Sequence, residues 1–262
     1  MKDPRFTIIT VCYNAQKYIE ETIRSVLNQK YSDYEYIIKD GKSSDGTLEL
    51  VHSLLNPNEN ICIVSSKDDG IFDAMNEAVS LARGEYVYFL NAGDSFCDSD
   101  VLQNVDLYIR QNPKVEIAYG NIILLDNTCR RMRIYGEICS KKIYAVSGDC
   151  ICHQAMFARR ELFDEKRFDL HYRACADREW QFHFIKKKKI FGCMKFTVAI
   201  FRVEGFCTSH MAEYEEETLQ CVEKNYDRYI VLGYKVIARM KESRILRQVL
   251  RLCGRLLFHK PV

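Results

Sequence analysis

FTIITVCYNAQKYIEETIRSVLNQKYSDYEYIIKDGKSSDGT, residues 6–47, decides the fold. It opens on FTIITVC (6–12), a short apolar run rich in β-branched residues, which reads as a strand. Over 16–29 the apolar positions Ile19, Ile23, Val26 and Leu27 fall at helical spacing. EYIIKD (35–40) is a second strand. Working outward, 47–55 reads as a short helix stopped before Pro57. ICIVSS (61–66) is a third strand, 71–82 a helix and EYVYFLN (85–91) a fourth strand. Strands alternating with helices through short links imply parallel pairing with crossover helices. Strands that are apolar throughout imply helical cover on both faces of the sheet.

Past residue 95 the rhythm loosens. A helix is expected over 99–111, a strand pair or one long strand over 115–125, and patchy strand character over 128–148. A helix is expected around Trp180 (174–186) and a strand over 197–203, followed by a helical tail over 212–258 with a break near Gly233. No linker composition separates the halves, so one sheet and one core are expected to run through both.

The 262 residues are 47% hydrophobic and 28% charged, which excludes disorder, collagen and coiled coil. No apolar run reaches the ~18 residues of a membrane span. The opening residues show no signal-peptide pattern, so a cytoplasmic location is expected. Twelve scattered cysteines without a C-x-x-C pair read as free thiols. The net charge of +2 is unevenly spread: 228–262 carry nine Lys/Arg against Glu242, a net +8, so the first 227 residues carry −6. An acidic body with a basic tail argues against a nucleic-acid-binding domain and for a docking tail.

In open parallel sheets, ligands sit at the carboxyl ends of the strands. Here those ends carry Asp40 after strand two, Asp68 and Asp69 after strand three, and Asp94 after strand four. Each alone is also what a turn or helix cap would take. Together they describe an edge able to hold a divalent cation and hydrogen-bond a nucleotide. Neither G-x-G-x-x-G nor G-x-x-x-x-G-K-[ST] is present, which argues against a dinucleotide fold and a P-loop.

The stretch quoted above, with DGIFDAMNEAVSLARGEYVYFLNAGD (69–94), HQAMFARRELF (153–163) and the helix at Ala176-Asp177, resembles family 2 glycosyltransferases. The wording FLNAGD is most similar to enzymes of bacterial capsule, colanic-acid-type or O-antigen assembly. The resemblance covers roughly residues 5–210. It implies an α/β fold of the GT-A type, with a mostly parallel central sheet and helices on both faces. Residues 1–227 would form the transferase domain, as a nucleotide-sugar half (1–95) and an acceptor half (96–227), and 228–262 a basic amphipathic tail.

The resemblance also implies roles. Thr10, Cys12, Tyr13 and Asp40 would bind the base or ribose, and Asp68 or Asp69 the donor ribose or sugar. Asn91, Ala92 and Gly93 would line the donor site, Asn91 standing where the family usually has an aspartate. Asp94 would ligate Mn²⁺ or Mg²⁺ at the diphosphate, with His210 a candidate second ligand. His153 and Gln154 would lie on the acceptor side. Asp177 would be the catalytic base, with Glu179 its rival two residues away on the same helix. The expected partners are a UDP-sugar in first place, a GDP-sugar in second, and a glycan or lipid-linked acceptor.

The expected reaction is metal-dependent and inverting. A carboxylate takes the acceptor's proton as the hydroxyl attacks the anomeric carbon. The tail's interleaved apolar and basic residues predict docking on an anionic membrane surface, or packing on protein with the basic face solvated. Such docking would place the protein on the inner face of the cell membrane. Two other readings compete. A sugar-nucleotide pyrophosphorylase would carry a glycine-rich signature after strand one, where Val11-Cys12-Tyr13-Asn14 stand. A non-catalytic nucleotide-sugar-binding or scaffold protein would be favoured by Asn91.

Overall fold

The computed structural model describes residues 3–55, 60–125, 130–134, 151–202 and 211–242. The first half alternates as expected: β1 (Phe6–Cys12), α1 (Ile19–Leu27), β2 (Tyr34–Asp40), α2 (Thr47–Leu54), β3 (Ile61–Ser65), α3 (Ile71–Val79) and β4 (Tyr86–Phe89). There follow β5 (Ser95–Phe96), α4 (Val101–Gln111), β6 (Ile117–Leu125), β7 (Arg130–Arg133), β8 (Met156–Arg159), α5 (Arg160–Glu165), α6 (Ala176–Lys186), β9 (Phe191–Arg202), α7 (Met211–Asn225) and α8 (Arg228–Glu242).

One sheet runs through both halves in the order β3-β2-β1-β4-β8-β6-β9-β5, with β7 paired to β6. Strands β3, β2, β1 and β4 are mutually parallel. Strand β8 is antiparallel to both β4 and β6, which joins the halves; β9 then runs parallel to β6. All seven residues of β1 are buried, as required of a central strand covered on both faces. The seam is aromatic. Tyr88 of β4 stacks on Phe157 of β8 at 4.2 Å and on Phe96 of β5 at 5.1 Å, at separations favourable for offset stacking.

Three expectations change. The strand expected over 197–203 begins at Phe191. Its start is broken by a bulge: Tyr119 pairs with Cys193 but Asn121 with Thr197. Gly120 makes room for it, since a β-carbon there would lie 2.6 Å from Val198 and 2.7 Å from the Phe196 carbonyl. The tail's break falls at Tyr226–Asp227, and Gly233 lies inside α8. Asp227 ends the ambiguity chemically, because its Oδ1 accepts the N–H groups of Tyr229 (3.0 Å) and Ile230 (3.2 Å) and starts a new helix. Strand β8 was hidden in the sequence by its length of four residues. Most of the stretch expected as patchy strand, 135–148, and the tail beyond 242 lie outside the described residues. The seven described cysteines are free thiols.

Candidate active site

The parallel register brings the strand ends level. Cys12 pairs with Asp40, and Asp40 with Ser65. The N–H of Ala92 reaches the Val11 carbonyl at 3.2 Å, so the chain leaving β4 joins the same edge. The loops after β1 and β2 are tied together. Asn14 N–H donates to Ser43 Oγ (2.8 Å), Asn14 Oδ1 accepts from Ser44 N–H (2.9 Å), and Gln16 N–H donates to Asp45 (3.0 Å). Asn14 sits in the left-handed region at φ 48°, which asparagine tolerates. This turn throws the Tyr13 ring outward, 66% exposed, so it is a surface ring at the edge and not a core residue.

Asp40 is fully buried at the foot of this edge, where its carboxylate accepts from Ser65 Oγ (2.7 Å) and from Ser43 N–H. Cys12 lies beside it, and burial together with the Asp40 charge pushes the thiol up to about 12. Thr10 is deeper. Its hydroxyl donates to the Leu90 carbonyl at 2.7 Å and meets Tyr36 Oη at 2.8 Å, so it braces the floor. Gly41 separates Tyr13 from Asp68: a β-carbon there would stand 3.3 Å from the ring and 2.8 Å from Asp68 Oδ2.

The two adjacent aspartates divide. Asp68 turns inward to Lys39 Nζ at 2.8 Å, while Asp69 is exposed. Lys39 is itself buried, and it also donates to the Ser66 carbonyl and pairs with Glu77 at 3.3 Å. Burial alone would lower its pKa; Asp68 and Glu77 outweigh that and raise it. Sequence reasoning passed over Lys39, although a lone lysine in an apolar strand was the available signal.

At the end of β4 the chain turns through Gly93, at φ 102°. Thr22 of α1 holds this turn: its hydroxyl accepts from Gly93 N–H (3.0 Å) and donates to the Asp94 carbonyl (2.7 Å). The Asp94 carboxylate is buried and accepts from Gln154 Nε2 (2.9 Å) and Arg202 N–H (3.1 Å). Burial raises its pKa to about 6, against the opposing pull of those hydrogen bonds and of the Arg202 charge. Asn91 Oδ1 is buried without a hydrogen-bond partner among the described residues. One buried carboxylate and one orphaned carbonyl suit an oxygen-seeking cation that keeps water and phosphate in its shell, as Mg²⁺ and Mn²⁺ do. Among the described residues no three His, Cys, Asp or Glu side chains form a cage, and His210 lies outside them.

His153 and Gln154, in a 3-10 turn ahead of β8, span two sides of the site. Gln154 holds Asp94. Asn91 Nδ2 donates to His153 Nε2 at 3.0 Å, which leaves the ring proton on Nδ1, facing Asp177 Oδ2 at 3.5 Å. Asp177 is in the first turn of α6, and its other oxygen accepts from Arg178 N–H at 2.8 Å. The structure thus brings Asn91, Asp94, His153, Gln154 and Asp177 into one connected group. Glu179 is buried elsewhere, between Lys166 (3.1 Å) and Lys224 (3.4 Å), and is no rival to Asp177. The lysine run 186–189 starts on the last residue of α6 and turns out of it, Lys187 pairing with Glu165 and Lys189 with Glu116.

Comparison with known proteins bears on the family and the fold. The family model described as Glycosyl transferase family 2 matches residues 7–165. A PGL/p-HBAD biosynthesis glycosyltransferase of Mycobacterium bovis is 33% identical over 186 residues, 70% of this chain and 70% of its own length. A putative teichuronic acid biosynthesis glycosyltransferase of Bacillus subtilis is 38% identical over 126 residues, 48% of this chain and 50% of its own length. Among solved structures, S. aureus TarS in complex with UDP-GlcNAc superposes with a TM-score of 0.65 at 18% identity, over 98% of this chain and 76% of that one. A mannosyltransferase of Pyrobaculum calidifontis, in complex with GDP-Man and Mn²⁺, gives 0.66 at 15% identity over 100% and 82%. At such identities the two structures speak to the fold.

Proposed function

The chain belongs to glycosyl transferase family 2 and is a glycosyltransferase of GT-A fold; from that premise we propose an inverting, metal-dependent enzyme of bacterial surface polysaccharide or glycolipid synthesis. It moves one sugar from a nucleoside diphosphate sugar, UDP before GDP, to a hydroxyl of a glycan or lipid-linked acceptor. The observation that carries this reading is the link from Asn91 through His153 to Asp177, which sets a carboxylate across from the donor edge.

Tyr13 offers its exposed ring to the base, and Asp40 and Asp68 line the floor beneath it. Asp94 and Asn91 would hold a divalent cation, which when bound would supply charge to offset the leaving diphosphate. His153, whose Nδ1 stands 3.5 Å from Asp177 Oδ2, keeps that carboxylate turned toward the site, and Asp177 takes the acceptor proton. A single in-line displacement then inverts the anomeric centre through an oxocarbenium-like transition state, with no covalent nucleophile. The basic tail docks the enzyme on an anionic membrane, where a lipid-linked acceptor would lie.

Asp177→Ala and Asp94→Ala are each expected to abolish sugar transfer, measured as nucleoside diphosphate release and as glycosylated product. The product's anomeric proton coupling reports inversion. Wild-type transfer by either variant removes the corresponding role, and a retained anomeric configuration removes the single-displacement mechanism.

A further inference from the structure

Helix α7 lies against α6, and one of its stripes carries Tyr214, Glu217 and Cys221 at i, i+3 and i+7. Glu217 and Cys221 meet the segment that leads into α6, and Tyr214 meets its first turn. Glu217 makes the densest contact. Its Oε1 accepts from Arg173 N–H at 2.7 Å, and its Oε2 accepts from Ala174 N–H at 2.8 Å and Cys175 N–H at 3.0 Å. Tyr214 Oη accepts from Arg178, whose guanidinium also lies 5.1 Å over the Tyr214 ring. Cys221 Sγ stands 3.4 Å from Cys175 Sγ. Cys175 is the residue from which α6 starts, since its carbonyl accepts from Arg178 N–H (3.0 Å) and Glu179 N–H (3.2 Å). Two residues on is Asp177.

We propose that Glu217 is a positioning residue for the catalytic base: its carboxylate, gripping three successive backbone N–H groups, fixes where α6 begins and so aims Asp177 at His153. The inference rests on the assignment of Asp177 as base. Three convergent N–H groups form a site of positive potential that an anion fills. Glu217 fills it from a different element, so the placement of the base depends on α7 and not on α6 alone. An amide in its place would turn an NH₂ group toward N–H donors and loosen the grip. A displacement of about 1 Å at a reacting group costs of the order of 10²-fold in rate.

The chain's only tryptophan reports on this directly. Trp180 is buried on α6, stacked on Phe163 at 4.8 Å, with its Nε1–H donating to the Lys166 carbonyl at 2.8 Å. The experiment compares Glu217→Gln, Asp177→Asn and, as control on the same helix, Glu216→Gln, whose side chain is exposed. Turnover is followed as UDP release from UDP-GlcNAc or GDP release from GDP-mannose, with Mn²⁺ present and water as acceptor. Acrylamide quenching of Trp180 needs no turnover. Glu217→Gln is expected to lower kcat by the order of 10²-fold with donor KM unchanged, and to make Trp180 easier to quench, while Glu216→Gln matches wild type. Wild-type kcat and quenching in Glu217→Gln, with Asp177→Asn inactive, overturns this inference and leaves the base assignment standing. An active Asp177→Asn overturns the base assignment itself. Loss of donor affinity in Glu217→Gln shows a support role for the whole domain and also overturns the inference.

Discussion

Asp94 concentrates the conflict between folding and chemistry in one side chain. It is buried, with a pKa raised to about 6 by that burial. A carboxylate raised in the folded state binds its proton more tightly there than in the unfolded chain. Its contribution to stability is therefore full below the ordinary aspartate range and is lost as pH rises through about 6. Keeping this carboxyl ionised in the metal-free protein at neutral pH therefore costs stability. In EDTA, then, the urea midpoint of the wild type is expected to fall between pH 4 and 7, and Asp94→Asn is expected to flatten that slope and be the more stable at pH 7. A wild-type slope that survives in Asp94→Asn would assign the effect to another group. Asn91 and His153 show the same scale from the other side. The sequence marks both as site positions, but their mutual hydrogen bond joins residues 62 apart, and only the folded chain reveals it.

At the scale of elements, legibility followed periodicity. Strands β1 to β4 and helices α1 to α3 were readable because a buried parallel strand is continuously apolar and a covering helix repeats its apolar stripe. Strand β8 and the start of β9 were not, since one has four residues and the other is interrupted by a bulge. Helix α8 begins at Arg228 and runs through Gly233, because Asp227 caps its start while a single glycine inside a helix costs only about 1 kcal/mol. Asp227→Ala is expected to cost about 1 kcal/mol and to speed amide exchange at Tyr229 and Ile230. Gly233→Ala, inside the helix, is expected to stabilise by about 1 kcal/mol. A destabilising Gly233→Ala would restore the break to that position. The site followed the same logic. Residues at strand ends were legible from the sequence, while Lys39, Thr22 and Glu217 act through contacts between distant elements.

Across the whole molecule, α8 presents two apolar faces. Ile230, Val231 and Tyr234 pack on the core, while Tyr229, Leu232 and Val236 are exposed at i, i+3 and i+7. No helix among the described residues is long and apolar enough to cross a membrane. An exposed apolar stripe in a strongly basic segment instead suits the surface of an anionic bilayer. The protein is expected to co-sediment with phosphatidylserine-containing vesicles, to release as salt rises, and to bind less after Leu232→Ser with Val236→Ser. Equal binding to neutral vesicles, or no effect of the paired substitution, would turn this face toward a protein contact.

The measurement that bears most directly on the central claim is the thermal stability of the purified chain with UDP, GDP, dTDP and CMP, each with and without Mn²⁺, beside Asp94→Ala. A ligand at about 100 times its Kd stabilises by about 2.7 kcal/mol, a readable shift. The expected result is stabilisation by UDP that requires Mn²⁺ and disappears in Asp94→Ala. Stabilisation by no nucleotide, or an equal shift in the variant, would contradict a metal-assisted nucleotide-sugar site at this edge of the sheet.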